Sequence, residues 1–458
     1  MFSSGAVSAF ALTEPEVGSD PAKMSTTATP TEDGNFYLLN GDKLWCTNGT
    51  IADVLVVMAK TPSKVVHGKE KTQITAFIVE TKNTPGFEVV HRCSFMGLKG
   101  IQNGLLRFKN VRVPKENIIW GLGQGLKLAL TTLNTGRLTV PAACTAMAKK
   151  SLLIARDWAN QRVQWGQAIG KHEAVTAKIS LMAATTFAMD SVTWLSSAMA
   201  DQHKTDIRLE AAMAKLFCTE ASWRIADDSM QLRGGRGYET ADSLKGRGEE
   251  PIPVERFMRD ARINLIIEGT SEIMHLFIAR EAMDPHLKRI FPILSGKGGF
   301  KKIVETFFHY AVWYPKQWLY FYNRRLETGS HAHVSGKIRK HLCFIEKASH
   351  RLARDLFHAM AIHQQGLEKR QQILFRYVNI GTDLFAMASS CSRSASLMNK
   401  NPSDSGPEEL ADLFCREATI RIRREFRAQR ENDDKMIYKI GRNMLEGKYR
   451  WLETGIVA

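Results

Sequence analysis

No run of eighteen or more uncharged apolar residues occurs in the 458-residue chain, so the sequence predicts no membrane-spanning helix. The opening segment MFSSGAVSAF lacks a basic region followed by a long apolar stretch and does not read as a secretory signal. The seven cysteines, at 46, 93, 144, 218, 343, 391 and 415, are scattered and odd in number. Their spacing suits neither a metal site nor a disulfide framework, and buried reduced thiols are expected. No zinc pattern and no nucleic-acid motif occurs, so neither a metal nor a nucleic-acid partner is expected. Acidic charge is also short: 47 Asp and Glu stand against 63 Lys and Arg, a net charge of +16. After Asp284 there are thirty basic and seventeen acidic residues, so +13 of that excess lies there. The asymmetry predicts a separate C-terminal module that meets an acidic partner, either an anionic membrane face or a polyanionic ester.

Composition is otherwise that of a globular chain, with 44% hydrophobic and 24% charged residues, enough for two or three domains. Residues 35 to 113 read as strands. FYLLNGDKLW carries Asn40-Gly41, a hairpin-turn signal, and DVLVVMAK, QITAFIVE, GFEVV and LLRFKNVRV follow between breaks. A compact antiparallel barrel or sandwich is the simplest assembly. Near Gly121 the pattern becomes helical, with apolar residues at helical spacing over about 124–160, 171–202, 206–230 and 270–282. The long, nearly uncharged stretch SLMAATTFAMDSVTWLSSAMA suits the centre of a bundle. Helices are expected again near 335–364, 366–398 and 407–447, with Ser403 or Ser405 as caps before the last. The expected fold class is α+β: a β domain at 1–120, a four-helix-bundle domain at 121–285, and an additional all-helical domain at 286–458.

Three segments carry candidate chemistry. ALTEPEVGSD (Ala11 to Asp20) packs two acids, a proline, a glycine and a serine into one loop, which by itself also suits a polar surface turn. In KLWCTNG, Trp45 and Thr47 alternate with Cys46 and so share one face of a strand. An indole there can cover a flat aromatic cofactor while the hydroxyl bonds its edge; cross-strand packing is the plainer alternative. In IIEGTSEIMHLFIAREA, Thr270 or Ser271 can cap a helix, with Glu272 in its first turn beside the positive end of the dipole. Glu268 stands outside that cap, after Ile266-Ile267 and before Gly269. Burial in such a strip would raise its pKa, a common device for a catalytic base.

Taken in order, ALTEPEVGSD, KLWCTNG, MGLKG with FKNVRVP, NTGR, QRVQWGQAIGKHE, QLRGGRGY, MRDARI and IIEGTSEI resemble the acyl-CoA dehydrogenase family over about residues 7 to 283. The helical extension resembles that of the very-long-chain branch. The resemblance implies FAD between the β domain and the helical domain. Leu12, Thr13, Trp45 and Thr47 would flank the isoalloxazine. Arg162, Gln164 and the loop Gln231, Leu232, Arg233, Gly234 and Gly235 would hold the phosphates of a neighbouring subunit's FAD. Thr270, Ser271 and Glu272 would add further FAD contacts. Ser19, Asn134, Thr135, Gly136, Arg137 and Gly269 would lie near the thioester of an acyl-CoA substrate, and Glu268 would be the general base.

The implied reaction is α,β-dehydrogenation of a long-chain acyl-CoA to a trans-2-enoyl-CoA in fatty-acid β-oxidation, with an electron-transferring flavoprotein as acceptor. A homodimer or higher oligomer is implied. So is a location in the cytoplasm for a bacterial protein, or at the matrix or inner-membrane side for a mitochondrial one. The sequence departs from the family pattern at Val17, at Glu173 and in the longer SLKGRGEEPIP loop, all of which bear on the adenine side. The family's N-terminal helical domain, of a size ordinary for one domain, has no counterpart here, which reads as a fragment, a truncated product or one piece of a split assembly. The alternatives are an acyl-CoA oxidase and a non-catalytic flavoprotein or assembly scaffold. In the C-terminal module, the aromatics between Phe307 and Tyr322, followed by Arg324 and Arg325, and the segment RIRREFRAQR around Ile422 and Phe426 raise two readings: packing onto the core, or peripheral membrane contact.

Overall fold

A computed structural model of the protein describes residues 5–455 apart from 67, 203, 205, 297–298 and 328–333. Eight strands form one sheet: β1 (Ser8–Ala11), β2 (Thr27–Pro30), β3 (Phe36–Thr47), β4 (Val54–Val66), β5 (Lys69–Glu80), β6 (Phe87–Arg92), β7 (Asn103–Pro114) and β8 (Ile118–Ile119). Their order is β6-β7-β3-β2-β4-β5-β8, with β1 added beside β4. Pairing is antiparallel except that β1 and β2 run parallel to β4. In β4 the two faces separate cleanly. Leu55, Val57 and Ala59 join Leu39, Phe77, Leu106 and Phe108 in one core. Val56 and Met58 point the other way, into a smaller core with Ile74, Ala76 and Ala129.

The hairpin expected at Asn40-Gly41 does not form. β3 runs straight through, with a bulge between Leu39 and Gly41 opposite β7. The Asn40 side chain explains this, because it bonds across the strands instead of closing a turn. Its Nδ2 donates to Asn110 Oδ1 at 3.0 Å, and the Asn110 amide donates back to Asn40 Oδ1 at 2.9 Å. Gly41 meets the bulge geometry at φ 142°, and a Cβ there would lie 2.6 Å from Thr26 Oγ1.

The helices are α1 (Gly125–Gln161), α2 (Glu173–Gln202), α3 (Arg208–Arg233), the short α4 (Gly235–Tyr238) and α5 (Ala241–Gly246), α6 (Val254–Arg262), α7 (Ser271–Leu294), α8 (Phe300–Glu327), α9 (Gly336–His363), α10 (Gln371–Lys400), α11 (Gly406–Ala428) and α12 (Asp434–Leu445). A hairpin, β9 (Val163–Gln164) with β10 (Gln167–Ala168), follows α1. Among the described residues α1 is the one helix long and apolar enough in composition to cross a membrane. Its first turns are already occupied by the sheet: Ala129 lies in the smaller core, with Leu126 and Leu128 against it.

Two expected helix bounds need correction. The helix expected to end near 282 continues to Leu294 through Pro285 and Pro292. The aromatic stretch after it, inside the all-helical region expected from 286, is α8, with Pro315 inside. A proline removes one helical hydrogen bond, and tertiary packing can absorb that loss in a long helix. The single helix expected at 407–447 is α11 and α12, and Ser405 precedes α11 without a capping side-chain bond; its Oγ donates to Glu409 at 2.7 Å.

The chain divides into two compact units, Met1–Val175 with Thr219–Ile273, and Thr176–Cys218 with Met274–Ala458. The first holds the sheet and α1. The second is helical, built on α9, α10 and α11, with Phe217 edge-on to Phe414 at 5.7 Å.

Candidate functional site

The first unit gathers its chemistry-bearing segments through a buried ion pair that sequence reading missed. Lys43 Nζ lies 2.8 Å from Glu14 Oε1, and both side chains are essentially inaccessible. Lys43 also donates to the Leu12 carbonyl at 3.1 Å. Glu14 accepts from Ser25 Oγ at 2.7 Å and from the Thr26 amide at 3.0 Å. Burial pushes the Glu14 carboxyl up, but the bonds from Lys43, Ser25 and Thr26 outweigh it and hold the pKa at about 2. Burial lowers the Lys43 pKa, against the pull of Glu14. A satisfied buried pair fixes geometry more than it adds stability. Here it ties the loop at Leu12 and Thr13 to β3, and the Leu44 amide completes the tie by donating to the Thr13 carbonyl at 2.9 Å.

Two residues beyond Lys43, β3 opens to solvent. Trp45 sits in a second bulge between Leu44 and Cys46, at φ 56°, and is 55% exposed. Cys46 is buried and Thr47 exposed, so Trp45 and Thr47 share the open face as expected. Thr47 Oγ1 donates to Oδ1 of the buried Asn103 at 3.4 Å. A bulky residue at positive φ is uncommon and strained, at a cost of about 1–3 kcal/mol, and such strain clusters at functional sites.

Glu268 shares that strain, at φ 57°, followed by Gly269 at φ 91°. It is half-buried, while Ile266 and Ile267 beside it are exposed, so the apolar strip expected around it is open on that side. Its carboxylate lies against α1. A Cβ added to Gly136 would stand 2.9 Å from Glu268 Oε2 and 3.0 Å from Cδ. One residue on, the buried Arg137 donates from Nη1 to Asn134 Oδ1 at 3.0 Å. Gly136 therefore meets Glu268, with the Asn134–Arg137 bond in the same stretch of α1, whereas Thr135 and Ser19 are exposed. Thr270 caps α7 by accepting from the Ile273 amide at 3.3 Å. MGLKG and MRDARI also meet: the Leu98 amide donates to Asp260 Oδ1 at 2.6 Å, and Arg259 Nη1 donates to the Met96 carbonyl at 2.7 Å.

A separate cationic group surrounds Trp158. The guanidinium carbons of Arg233, Arg236 and Arg162 lie 4.7, 5.5 and 5.9 Å from its ring centre. Trp158 Nε1 donates to the Leu232 carbonyl at 3.0 Å. Arg236 is already paired with Glu249 at 2.6 and 2.8 Å, through the long loop after Gly237. Arg233 is buried, and its Nε has no hydrogen-bond partner among the described residues. Burial, and then Arg236, lower its pKa. Gln231, Gly234 and Gly235 are exposed at the end of α3, and nothing lies within 4 Å of where a Cβ would stand on either glycine. Gln164 is exposed in the β9–β10 hairpin, whose central residues Trp165 and Gly166 both have positive φ. Neither Trp158 nor the Glu14–Lys43 pair carried a distinct sequence signal, since strand alternation puts Lys43 on the same face as Trp45 and Thr47 until the bulge is known.

Known proteins align with this arrangement segment by segment. The model of the acyl-CoA dehydrogenase middle domain matches residues 9–111, and that of the acyl-CoA dehydrogenase C-terminal domain matches residues 123–283. A third, the ACAD9/ACADV C-terminal domain, matches residues 338–449. The probable acyl-CoA dehydrogenase FadE10 of Mycobacterium tuberculosis is 48% identical over 99% of this chain and 69% of its own length. The human mitochondrial very long-chain specific acyl-CoA dehydrogenase is 34% identical over 91% of this chain and 62% of its own length. The crystal structure of an acyl-CoA dehydrogenase from Bacillus anthracis complexed with FAD superposes with a TM-score of 0.73 at 26% identity, covering 94% of this chain and 71% of that one. With the Glu268 segment and the exposed indole each inside a matched region, and residues 338–449 of the helical extension inside the third, the chain belongs to the acyl-CoA dehydrogenase family, in the branch that carries the ACAD9/ACADV C-terminal domain.

Proposed function

We propose that the chain binds FAD and dehydrogenates a long-chain acyl-CoA, with Glu268 as the base. The residues present fit the cofactor at two places. Trp45 and Thr47 offer a flat aromatic face with a hydroxyl beside it, next to Leu12 and Thr13. Arg233, with its unpartnered buried Nε, and Arg162 offer charge for phosphates, backed by the open backbone at Gly234-Gly235. When bound, FAD supplies the acceptor for the two electrons that leave with the substrate's β-hydrogen.

The observation that carries the proposal is the Glu268 carboxylate, held at a left-handed backbone position against Gly136. A residue held there is pre-positioned, since its backbone cannot relax without losing the turn into α7. Its Oε atom takes the α-proton of the thioester. The Glu268 amide can donate to the thioester carbonyl oxygen, where negative charge develops as the proton leaves. Arg137, turned inward to Asn134, fixes the turn of α1 beneath the base. The two cofactor-fitting places support a dimer in which Arg162 and the Gln231–Gly235 loop complete a second copy's FAD site. Transfer of electrons to an external flavoprotein is part of the same reading. The test is anaerobic mixing with hexadecanoyl-CoA, followed at the flavin absorbance, with the mass of the flavin-loaded species measured by sedimentation. Bleaching in a dimer is expected, and full flavin occupancy in a monomer would remove the shared-site part.

A second reading applies to α8, where Phe300, Ile303, Phe307 and Phe308 are exposed alongside Lys301 and Lys302. It supports peripheral contact with an anionic membrane. Trp318 is half-exposed, while several other aromatics of the stretch pack inward. Tyr310, Trp313 and Tyr314 gather around Phe357 at 5.1–5.8 Å, and Ile422 and Phe426 are buried. The side chains of residues 319–327, with Arg324 and Arg325, lie outside the described residues.

A further inference from the structure

The second unit contains a cavity of about 340 Å³ whose walls come from α3, α7, α9 and α10. Its lining is almost wholly apolar, with Met213, Ile278, Leu352 and Phe385 among its larger side chains. One of its two hydroxyl-bearing residues is turned to other use, since Tyr377 Oη donates to the Asp355 carbonyl at 3.0 Å. The pocket opens to solvent beside the exposed Ser349, and water along its walls finds few protein partners.

The space is kept open by small residues. Ala279, Ala282 and Ala388 line it, and Gly381 stands in mid-α10, where glycine disfavours the helix. A Cβ on Gly381 would meet only Leu352 Cδ2, at 3.7 Å, so a larger residue would fit without clash. The pocket is partly open to solvent, so its apolar walls meet water, and an apolar group seated there would remove that area from water. The cavity holds about eleven waters' worth of liquid volume, roughly the space of a ten- to twelve-carbon chain.

We propose that this cavity is a binding site for a single saturated hydrocarbon chain of medium length, such as the tail of a free fatty acid. The site is separate from the base at Glu268 and does not depend on its assignment. Its walls join α3 and α7, within the region matched by the dehydrogenase C-terminal domain, to α9 and α10 of the extension. A bound chain would therefore stabilise the second unit as a whole.

The experiment titrates the full chain with sodium dodecanoate by calorimetry, in wild type and in Gly381→Leu and Ala388→Leu. One site is expected in wild type, with a rise in melting temperature on binding. In both variants affinity should fall at least tenfold while the unliganded melting temperature holds or rises. Flavin bleaching by hexadecanoyl-CoA should be unchanged in both. If one variant fails to fold, the other carries the comparison. Dodecanoate binding that survives both substitutions, an absence of binding in wild type, or a joint loss of dodecanoate binding and bleaching would each overturn the proposal.

Discussion

The two units use their buried polar groups for different ends. In the first, Glu14 and Lys43 form a fully enclosed pair whose bonds run to Leu12, Ser25 and Thr26, directly behind the exposed Trp45 face. In the second, polar groups join helices to one another. His275 Nε2 and Asn379 Oδ1 are 2.8 Å apart, Asn379 Nδ2 donates to Glu425 at 3.1 Å, Arg376 pairs with Asp434, and Arg421 with Asp383. The first arrangement holds strained residues in place, and the second sets helix register. Damage to one should therefore remove cofactor and stability together, while damage to the other should remove stability alone.

The largest expected effect lies at Glu268, the proposed base. Glu268→Gln keeps size and hydrogen bonding but cannot take a proton, and one positioned base contributes about 10²–10⁴-fold. Dehydrogenation should fall by at least that factor with flavin content unchanged, measured by single-turnover bleaching. Near-normal turnover would assign the base elsewhere. Gly136→Ala is the subtler form, because its methyl group would press on the Glu268 carboxylate. It should lower kcat more than it changes KM.

Lys43→Met comes next. Removing one partner of a buried pair leaves an uncompensated charge and costs about 3–5 kcal/mol. Urea unfolding should show that loss together with reduced flavin retention. The double variant Glu14→Leu/Lys43→Met should regain much of the stability without regaining the flavin, since the link to the Leu12 carbonyl stays broken. Recovery of both would reduce the pair to a packing device. The same pair gives a pH signature. Glu14 titrates near 2 in the folded chain against an ordinary value of 4.5, so its contribution is fully present above about pH 4.5 and is lost as pH falls towards 2. Lys43→Met should flatten stability between those limits.

In the second unit, Asn379→Leu removes a bridge between His275 and Glu425 and should cost about 1–3 kcal/mol. Flavin content and bleaching should stay at wild-type levels. A fall in flavin equal to that of Lys43→Met would erase the distinction between the units.

How much of this was legible in sequence follows from the same contrast. Strand runs, the four dehydrogenase helices and the positions of Trp45, Thr47 and Glu268 could be read, because alternation, helical spacing and motif order are local properties. Bulges were not legible. Asn40-Gly41 looks like a turn until Asn110, seventy residues away, supplies its partner. Trp45 and Glu268 gave no sign of their positive φ, which the surrounding fold imposes. Pro285, Pro292 and Pro315 sit inside α7 and α8, where the local preference is for a helix end and tertiary packing overrides it. Lys43 reads as a solvated lysine unless Glu14 is known to be buried beside it.

The smallest effect concerns the surface of α8, where exposed aromatics stand beside exposed lysines. Phe300, Phe307 and Phe308 are 81, 69 and 63% exposed, a large apolar area for a helix facing water. Lys301, Lys302 and Lys316 lie on the same helix and are exposed too. Each cation near an anionic bilayer contributes about 1 kcal/mol, and the contribution falls within a Debye length as salt rises. Three lysines and a few rings would together give only weak, reversible attachment. Co-sedimentation with phosphatidylserine-containing vesicles at low ionic strength should therefore be partial and should fade at physiological salt. Phe307→Ser/Phe308→Ser should weaken it severalfold, with stability nearly unchanged because neither ring is buried. Wild-type protein that stays in the supernatant at low salt while folded would leave α8 without a membrane role. Binding unaffected by the double substitution would move the contact to another surface.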